Sequence, residues 1–242
     1  MSSPSTVAVH GVTGCAWAWH ALAAEMPEYG FLALDLRGHG DSSWSQDQSY
    51  TTADHTDDLT LGTESLDAPF DLIGSSWGAL VALEFAARHP DRVRRLVLLD
   101  IEPSFTAKAD EVMARPRSFA SVDEAEAWMR SMYPAAPSNA VAAMLYGSLR
   151  PDAPGVLVPK HDPYFFERWP FRDGDHWPTL DSIECPTLLV HARRTWVRGD
   201  VMQQMADRIP SAELVEIDSA HVIPMDVPGP LAATLRPFLN LE

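Results

Sequence analysis

The run Phe70–His89, FDLIGSSWGALVALEFAARH, constrains the chain more than any other stretch. Phe70–Ile73 has the size and flanks of a buried strand, and Ala79–Ala87 is an apolar segment long enough for a packed helix. Between them, Gly74-Ser75-Ser76-Trp77-Gly78 matches G-x-S-x-G. The chain must turn sharply from strand to helix here, which crowds the backbone around the central residue. Glycines two positions to either side remove the Cβ atoms that would collide. Ser76 is thereby held at the tip of the turn, its hydroxyl exposed at the N-terminus of the following helix. The helix dipole and free N–H groups at that point favour negative charge.

Around this joint, short apolar runs alternate with helical patterns. Strands are expected at Thr6–His10, Phe31–Asp35, Phe70–Gly74, Val93–Asp100, Thr187–His191 and Glu213–Ile217. Helices are expected at Trp17–Met26, Tyr50–Leu66, Trp77–His89, Val201–Ile209 and Pro230–Leu239. Tyr50–Leu66 is a poor helix by composition, rich in Thr and Asp and interrupted by Gly62. Pro90 ends the helix before it. Such alternation implies a parallel sheet with helices on both faces, and right-handed crossovers that put the strand C-termini on one edge.

From Pro103 to about Ser182 the texture changes. No good strand is visible, prolines are frequent, and helical patterns occur at Val122–Met132 and Asn139–Leu149. Large apolar groups are dense, among them Phe119, Trp128, Met129, Met144, Trp169 and Phe171. This stretch is expected to be an insertion at the C-terminal edge of the sheet. The domain division is a core of 1–102 and 183–242 with a helical lid at 103–182.

At 242 residues, with 46% hydrophobic and 21% charged side chains, the chain is ordinary globular material for one α/β domain. Its formal net charge of −16 argues against nucleic acid or an anionic membrane as partner. Acid is spread along the chain, with one cluster at Asp54, Asp57 and Asp58. Cys15 and Cys185 give neither a disulfide framework nor a zinc pattern. Cys15 follows a candidate site loop, although a small buried filler is the commoner role for such a residue. Met1–Thr6 has no basic or apolar leader region, and no run approaches a membrane span, so a cytoplasmic protein is expected. No pattern binds a metal, phosphate or nicotinamide, and no cofactor is expected.

His10-Gly11-Val12, the run Asp35–Ser42 (DLRGHGDS), Gly74–Gly78 and the late His221 in SAHVIPMD together resemble the α/β-hydrolase fold family. The resemblance covers the whole chain except the middle insertion, and the first strand corresponds to the family's third. It implies a mostly parallel six-stranded sheet with helices on both faces and a helical lid. It also implies Ser76 as nucleophile and His221, in the loop after the last strand, as its base. Serine is a weak nucleophile at neutral pH and requires such a base. His39, inside RGHG, is the next histidine in line, but in the family that loop is mainly structural, with Arg37 tying it down.

The third member departs from the family pattern. Most members carry an Asp after the strand that is Thr187–His191 here, and this chain has Thr195 in that place. Thr cannot stabilise the imidazolium that forms during attack or fix its tautomer. Some members, such as haloalkane dehalogenases, take the acid from the end of the preceding strand, which is Asp100 here. Asp200 is the rival, although it reads as the N-cap of the following helix, and Glu102 is a weaker one. The backbone N–H groups of Val12 and Trp77 are expected to form the oxyanion hole. The insertion's aromatic and Met side chains, with Trp17 and Trp77, are candidates for the pocket wall.

The expected activity is serine hydrolysis of a small, mostly apolar carboxylic ester or lactone through an acyl-enzyme. A C–C bond hydrolase, an amidase or iminopeptidase, and a cofactor-free oxygenase use similar residues. A non-catalytic small-molecule receptor is the alternative of a different class. Epoxide hydrolases and dehalogenases need Asp where Ser76 stands. Fold resemblance alone does not choose the substrate.

Overall fold

The computed structural model describes residues 5–239. Met1–Pro4, part of the stretch read for a leader, lie outside the described residues. The strands are β1 (Thr6–Val9), β2 (Phe31–Leu34), β3 (Phe70–Ser75), β4 (Val93–Leu99), β5 (Leu149–Ala153), β6 (Val156–Pro159), β7 (Thr187–Arg194) and β8 (Ala212–Ala220). The helices are α1 (His20–Glu25), α2 (Thr52–Thr63), α3 (Trp77–Arg88), α4 (Val122–Met132), α5 (Ser138–Ser148), α6 (Trp177–Leu180), α7 (Gly199–Arg208), α8 (Ile223–Asp226) and α9 (Pro228–Leu239).

Six strands form one sheet in the order β2-β1-β3-β4-β7-β8, and every pairing in it is parallel. Period-two alternation sorts the strand side chains between the two faces. Val7, Val9, Leu72, Leu96, Leu98 and Leu189 join one core with α3 and α7. Ala8, Ile73, Val97, Leu99, Leu188 and Val190 join the other with α1 and α9. Burial on both faces explains why these strands read as continuous apolar runs. Asp71 is the exception in β3; it is fully buried and accepts from Arg94 at 2.6 and 2.9 Å.

The helix with the weakest sequence signal, α2, is shorter than expected and is held locally. Thr51 and Asp54 form a reciprocal capping box. Thr56, Thr60 and Thr63 return their hydroxyls to carbonyls one turn back, at 2.9, 2.9 and 2.7 Å. The acidic cluster is thereby divided among separate tasks: Asp54 caps, Asp57 pairs with Arg88, and Asp58 pairs with Arg37.

Two expectations are corrected. The insertion contains a strand pair, β5 and β6, which pair antiparallel and contact Phe119 through Leu157. Pro151, Pro154 and Gly155 read as breakers, but the register shift at Pro151/Ala153 accommodates the first, and Gly155 turns the chain at φ +77°. The second concerns α7, which starts at Gly199 with Arg198 as its cap; Asp200 lies in the first turn and is not the cap.

Candidate active site

Ser76 sits between β3 and α3 with φ 55° and ψ −128°, a backbone region that non-glycine residues rarely occupy. The turn holds it there: its N–H donates to the Leu99 carbonyl at 2.9 Å, and its carbonyl accepts from Ala79 N–H at 2.8 Å. A Cβ on Gly74 would lie 2.3 Å from the Gly78 carbonyl, and one on Gly78 would lie 2.3 Å from the Val9 carbonyl. Both glycines are therefore required by close backbone approach.

His221 follows β8 and reaches the same sheet edge. Its Nε2 is 2.9 Å from Ser76 Oγ, and its Nδ1 is 2.6 Å from Asp100 Oδ2. With Asp100 Oδ2 as the acceptor, Nδ1 carries the ring proton and Nε2 is left to accept from the Ser76 hydroxyl. Asp100, at the end of β4, is fully buried with φ 50°. Its Oδ1 accepts from Ala192 N–H at 2.9 Å, and its Oδ2 also accepts from the Thr195 hydroxyl at 2.6 Å. Thr195 thus stands where most family members hold the acid and donates to the carboxylate supplied by the neighbouring strand. Asp200 is exposed, away from this chain of contacts. Glu102 is occupied by the Arg198 backbone and guanidinium at 2.9 and 3.3 Å.

The loop after β1 lies against the serine. A Cβ on Gly11 would be 2.8 Å from Ser76 Cβ. Thr13 adopts φ 59°, a genuine outlier for a β-branched residue. Its N–H donates to His39 Nε2 at 3.1 Å, and His39 Nδ1 donates to the Arg37 carbonyl at 3.0 Å. His10 Nε2 accepts from Leu36 N–H at 3.0 Å. Burial pushes His10 and His39 below the ordinary histidine range, His39 well below. Neutral rings are what these contacts require, since each needs one ring nitrogen as acceptor. His39 therefore braces the loop that carries Val12 and has no contact with Ser76. Among the described residues, no acceptor within the chain takes the N–H of Val12 or of Trp77.

A cavity of about 100 Å³ meets Ser76 and His221. Its wall combines the His10–Gly14 loop with Phe119, Trp128, Met129, Met144, Trp169 and Phe171 from the insertion. Trp17 and Trp77 are not part of it. Trp77 is fully buried against His55 and Phe171 and donates Nε1–H to Thr52, while Trp17 packs on Tyr146 at 5.0 Å. Cys15 is a buried filler beside Met144, its thiol pushed up to about 12 by burial. Among the described residues, no group of three or more His, Cys, Asp or Glu is arranged to hold a metal ion.

Two participants were not legible beforehand. Trp196 lies against the His221 ring, with centroids 4.8 Å apart. Asp226, buried at the end of α8, accepts from Ala220 N–H at 2.8 Å and Ser219 Oγ at 3.1 Å, shaping the loop that presents His221. The acid in SAHVIPMD was the available signal for Asp226; nothing in the sequence marked Trp196.

Residues 7–228 match the family model described as alpha/beta hydrolase fold. The chain is 28% identical to lipase LipV of Mycobacterium tuberculosis over 99% of its own length and 95% of the relative's. It is 30% identical to the pimeloyl-[acyl-carrier protein] methyl ester esterase of Neisseria meningitidis, over 86% of this chain and 81% of that one. Among solved structures, the thioesterase domain from the curacin biosynthetic pathway superposes with a TM-score of 0.83 at 23% identity, covering 97% of this chain and 91% of that one.

Proposed function

The chain belongs to the α/β-hydrolase fold family, and on that premise we propose that it is a serine hydrolase that cleaves a small, mostly apolar carboxylic ester or lactone. The observation that carries this reading is the continuous path from Asp100 through His221 to Ser76, at 2.6 and 2.9 Å, opening on an apolar cavity. Relatives named as a lipase and as a methyl ester esterase support the ester bond over other acyl bonds.

Ser76 Oγ attacks the carbonyl carbon as His221 Nε2 takes its proton. Asp100 holds Nδ1–H and stabilises the imidazolium, and Thr195 and Ala192 keep the carboxylate in place. The carbonyl oxygen gains negative charge and is received by the N–H groups of Val12 and Trp77, the latter at the N-terminus of α3. His221 returns its proton to the leaving alcohol. It then takes a proton from water, whose oxygen attacks the acyl carbon, and passes that proton to Ser76 Oγ as the bond from Oγ to the acyl carbon breaks and the acid leaves. Residues 103–182 act as the lid, contributing the aromatic and Met wall that excludes water from the acyl group. The two free cysteines agree with a reducing, cytoplasmic setting; among the described residues no helix is long and apolar enough to cross a membrane.

Turnover of short p-nitrophenyl esters by the wild type and by Ser76→Ala tests the reading. The variant is expected to keep the fold and lose turnover. Wild-type rates in the variant would remove Ser76 from the mechanism.

A further inference from the structure

The cavity contains one fixed charge with nothing to answer it. Arg115, half-buried between β4 and α4, lines the same cavity as Ser76 and His221. Among the described residues it is the only Lys or Arg in the wall, and no Asp or Glu lines it. Its Nε is fully buried and has no hydrogen-bond acceptor. The guanidinium carbon lies 6.0 Å from the ring centroids of both Trp128 and Trp169. These rings stabilise the cation but do not satisfy its N–H groups. Neighbouring cations lie outside the wall: Arg117 pairs with Glu167 at 3.2 Å, and Arg172 donates to the Glu111 carbonyl and stacks on Trp169 at 4.6 Å, although its own Nε also lacks an acceptor. His161, on the same wall, is held down to about 4 by burial, with Arg115 adding to the effect, so it brings no competing positive charge at neutral pH.

A guanidinium cannot shed its proton, and a buried donor without an acceptor is costly. An anion that arrives with the ligand supplies the counter-charge that the wall lacks. We propose that the substrate carries a free carboxylate remote from the bond that is cleaved, received by the guanidinium of Arg115. The nature of that bond rests on the serine hydrolase reading; the anion site does not. A single guanidinium matches a monoanionic carboxylate bidentately, whereas a phosphate dianion would leave net charge against an aromatic wall. The substrate class is thus an ester of a dicarboxylic acid with one end free and an apolar spacer between.

Two esters of equal length separate this role from a merely structural one: mono-p-nitrophenyl glutarate, with a free carboxylate, and p-nitrophenyl pentanoate, without. Wild type is expected to favour the glutarate ester. Arg115→Gln should lower its kcat/KM about 10- to 100-fold, the weight of a charged hydrogen bond, and leave pentanoate nearly unchanged, with Arg115→Lys recovering part of the loss. No loss, or an equal loss on both esters, overturns the proposal. Binding is measured separately on Ser76→Ala by calorimetry, with monomethyl glutarate against dimethyl glutarate, so that neither result depends on turnover. At least tenfold tighter binding of the monoacid, lost in Ser76→Ala/Arg115→Gln, supports the site even where no ester is hydrolysed, in which case only the hydrolase reading fails. Equal binding of the two overturns the site, and tighter binding of a phosphonate analogue overturns its assignment to a carboxylate. Where Arg115→Gln does not fold, the monoacid-to-diester ratio on the arginine-bearing protein decides alone.

Discussion

Replacing Asp100 by Asn should invert the proton arrangement of the site without disturbing its shape. The side chain is isosteric, and Asn tolerates the left-handed backbone that Asp100 adopts at φ 50°. The amide orientation is then dictated by its neighbours. Oδ1 accepts from Ala192 N–H at 2.9 Å, so that position must remain an oxygen. The NH2 group is therefore forced toward His221 Nδ1 and Thr195 Oγ1. The Thr195 hydroxyl can rotate and accept, but Nδ1 now faces a donor and loses its proton to Nε2. Nε2–H then donates to Ser76 and cannot take its proton. An equivalent tautomer reversal in a serine protease lowers kcat about 10⁴-fold, which is ~5 kcal/mol of barrier at 1.36 kcal/mol per tenfold. The assay is kcat/KM on a short p-nitrophenyl ester, with a melting curve to show that the fold survives. Asp200→Asn, an exposed change, should remain within about twofold. Asp100→Asn within tenfold of wild type, or a larger loss from Asp200→Asn, would refute the reasoning.

Three further outcomes are expected. Thr195→Val removes one donor to the buried carboxylate while keeping the side-chain shape; the loss should be ~1.5–3 kcal/mol of stability, read by denaturant unfolding. Gly11→Ala places a Cβ 2.8 Å from that of Ser76 and 3.1 Å from the Ser75 carbonyl, so ester turnover should fall at least about tenfold and the melting temperature should drop as well. His55 is pushed down to about 4 by burial, against 6.5 when free. The unfolded chain therefore binds the proton first, and stability is lost as pH falls from 6.5 toward 4. That loss is roughly 3 kcal/mol for this one group, and melting curves across the window should show His55→Gln to be less steep.

The sheet was legible because its inner strands are buried on both faces, and an apolar run between breakers has few other structural uses. Helix α2 was the weakest reading because its stabilisation lies in hydroxyls and carboxylates that act through specific local geometry, which propensity scales count as unfavourable. The β5–β6 pair was missed because its prolines signal a break wherever a bulge cannot be foreseen. In the site, Ser76 was marked by its glycines, His221 by its place after the last strand and Asp100 by the absence of an acid at Thr195. The fold brings these three side chains into one line of contacts. Trp196 and Arg115 had no such mark, and the structural reading of His39 did not extend to its contact with Thr13. Each depends on segments distant in sequence meeting at one edge of the sheet, and no local pattern encodes such a meeting.

The most direct measurement is the site of covalent modification by a fluorophosphonate, read by intact mass and peptide mapping. The account predicts one adduct per chain, on Ser76, formed rapidly by the wild type and far more slowly when His221 is replaced by Ala. Adduct on another residue, or labelling of Ser76 at the same rate without His221, would contradict it.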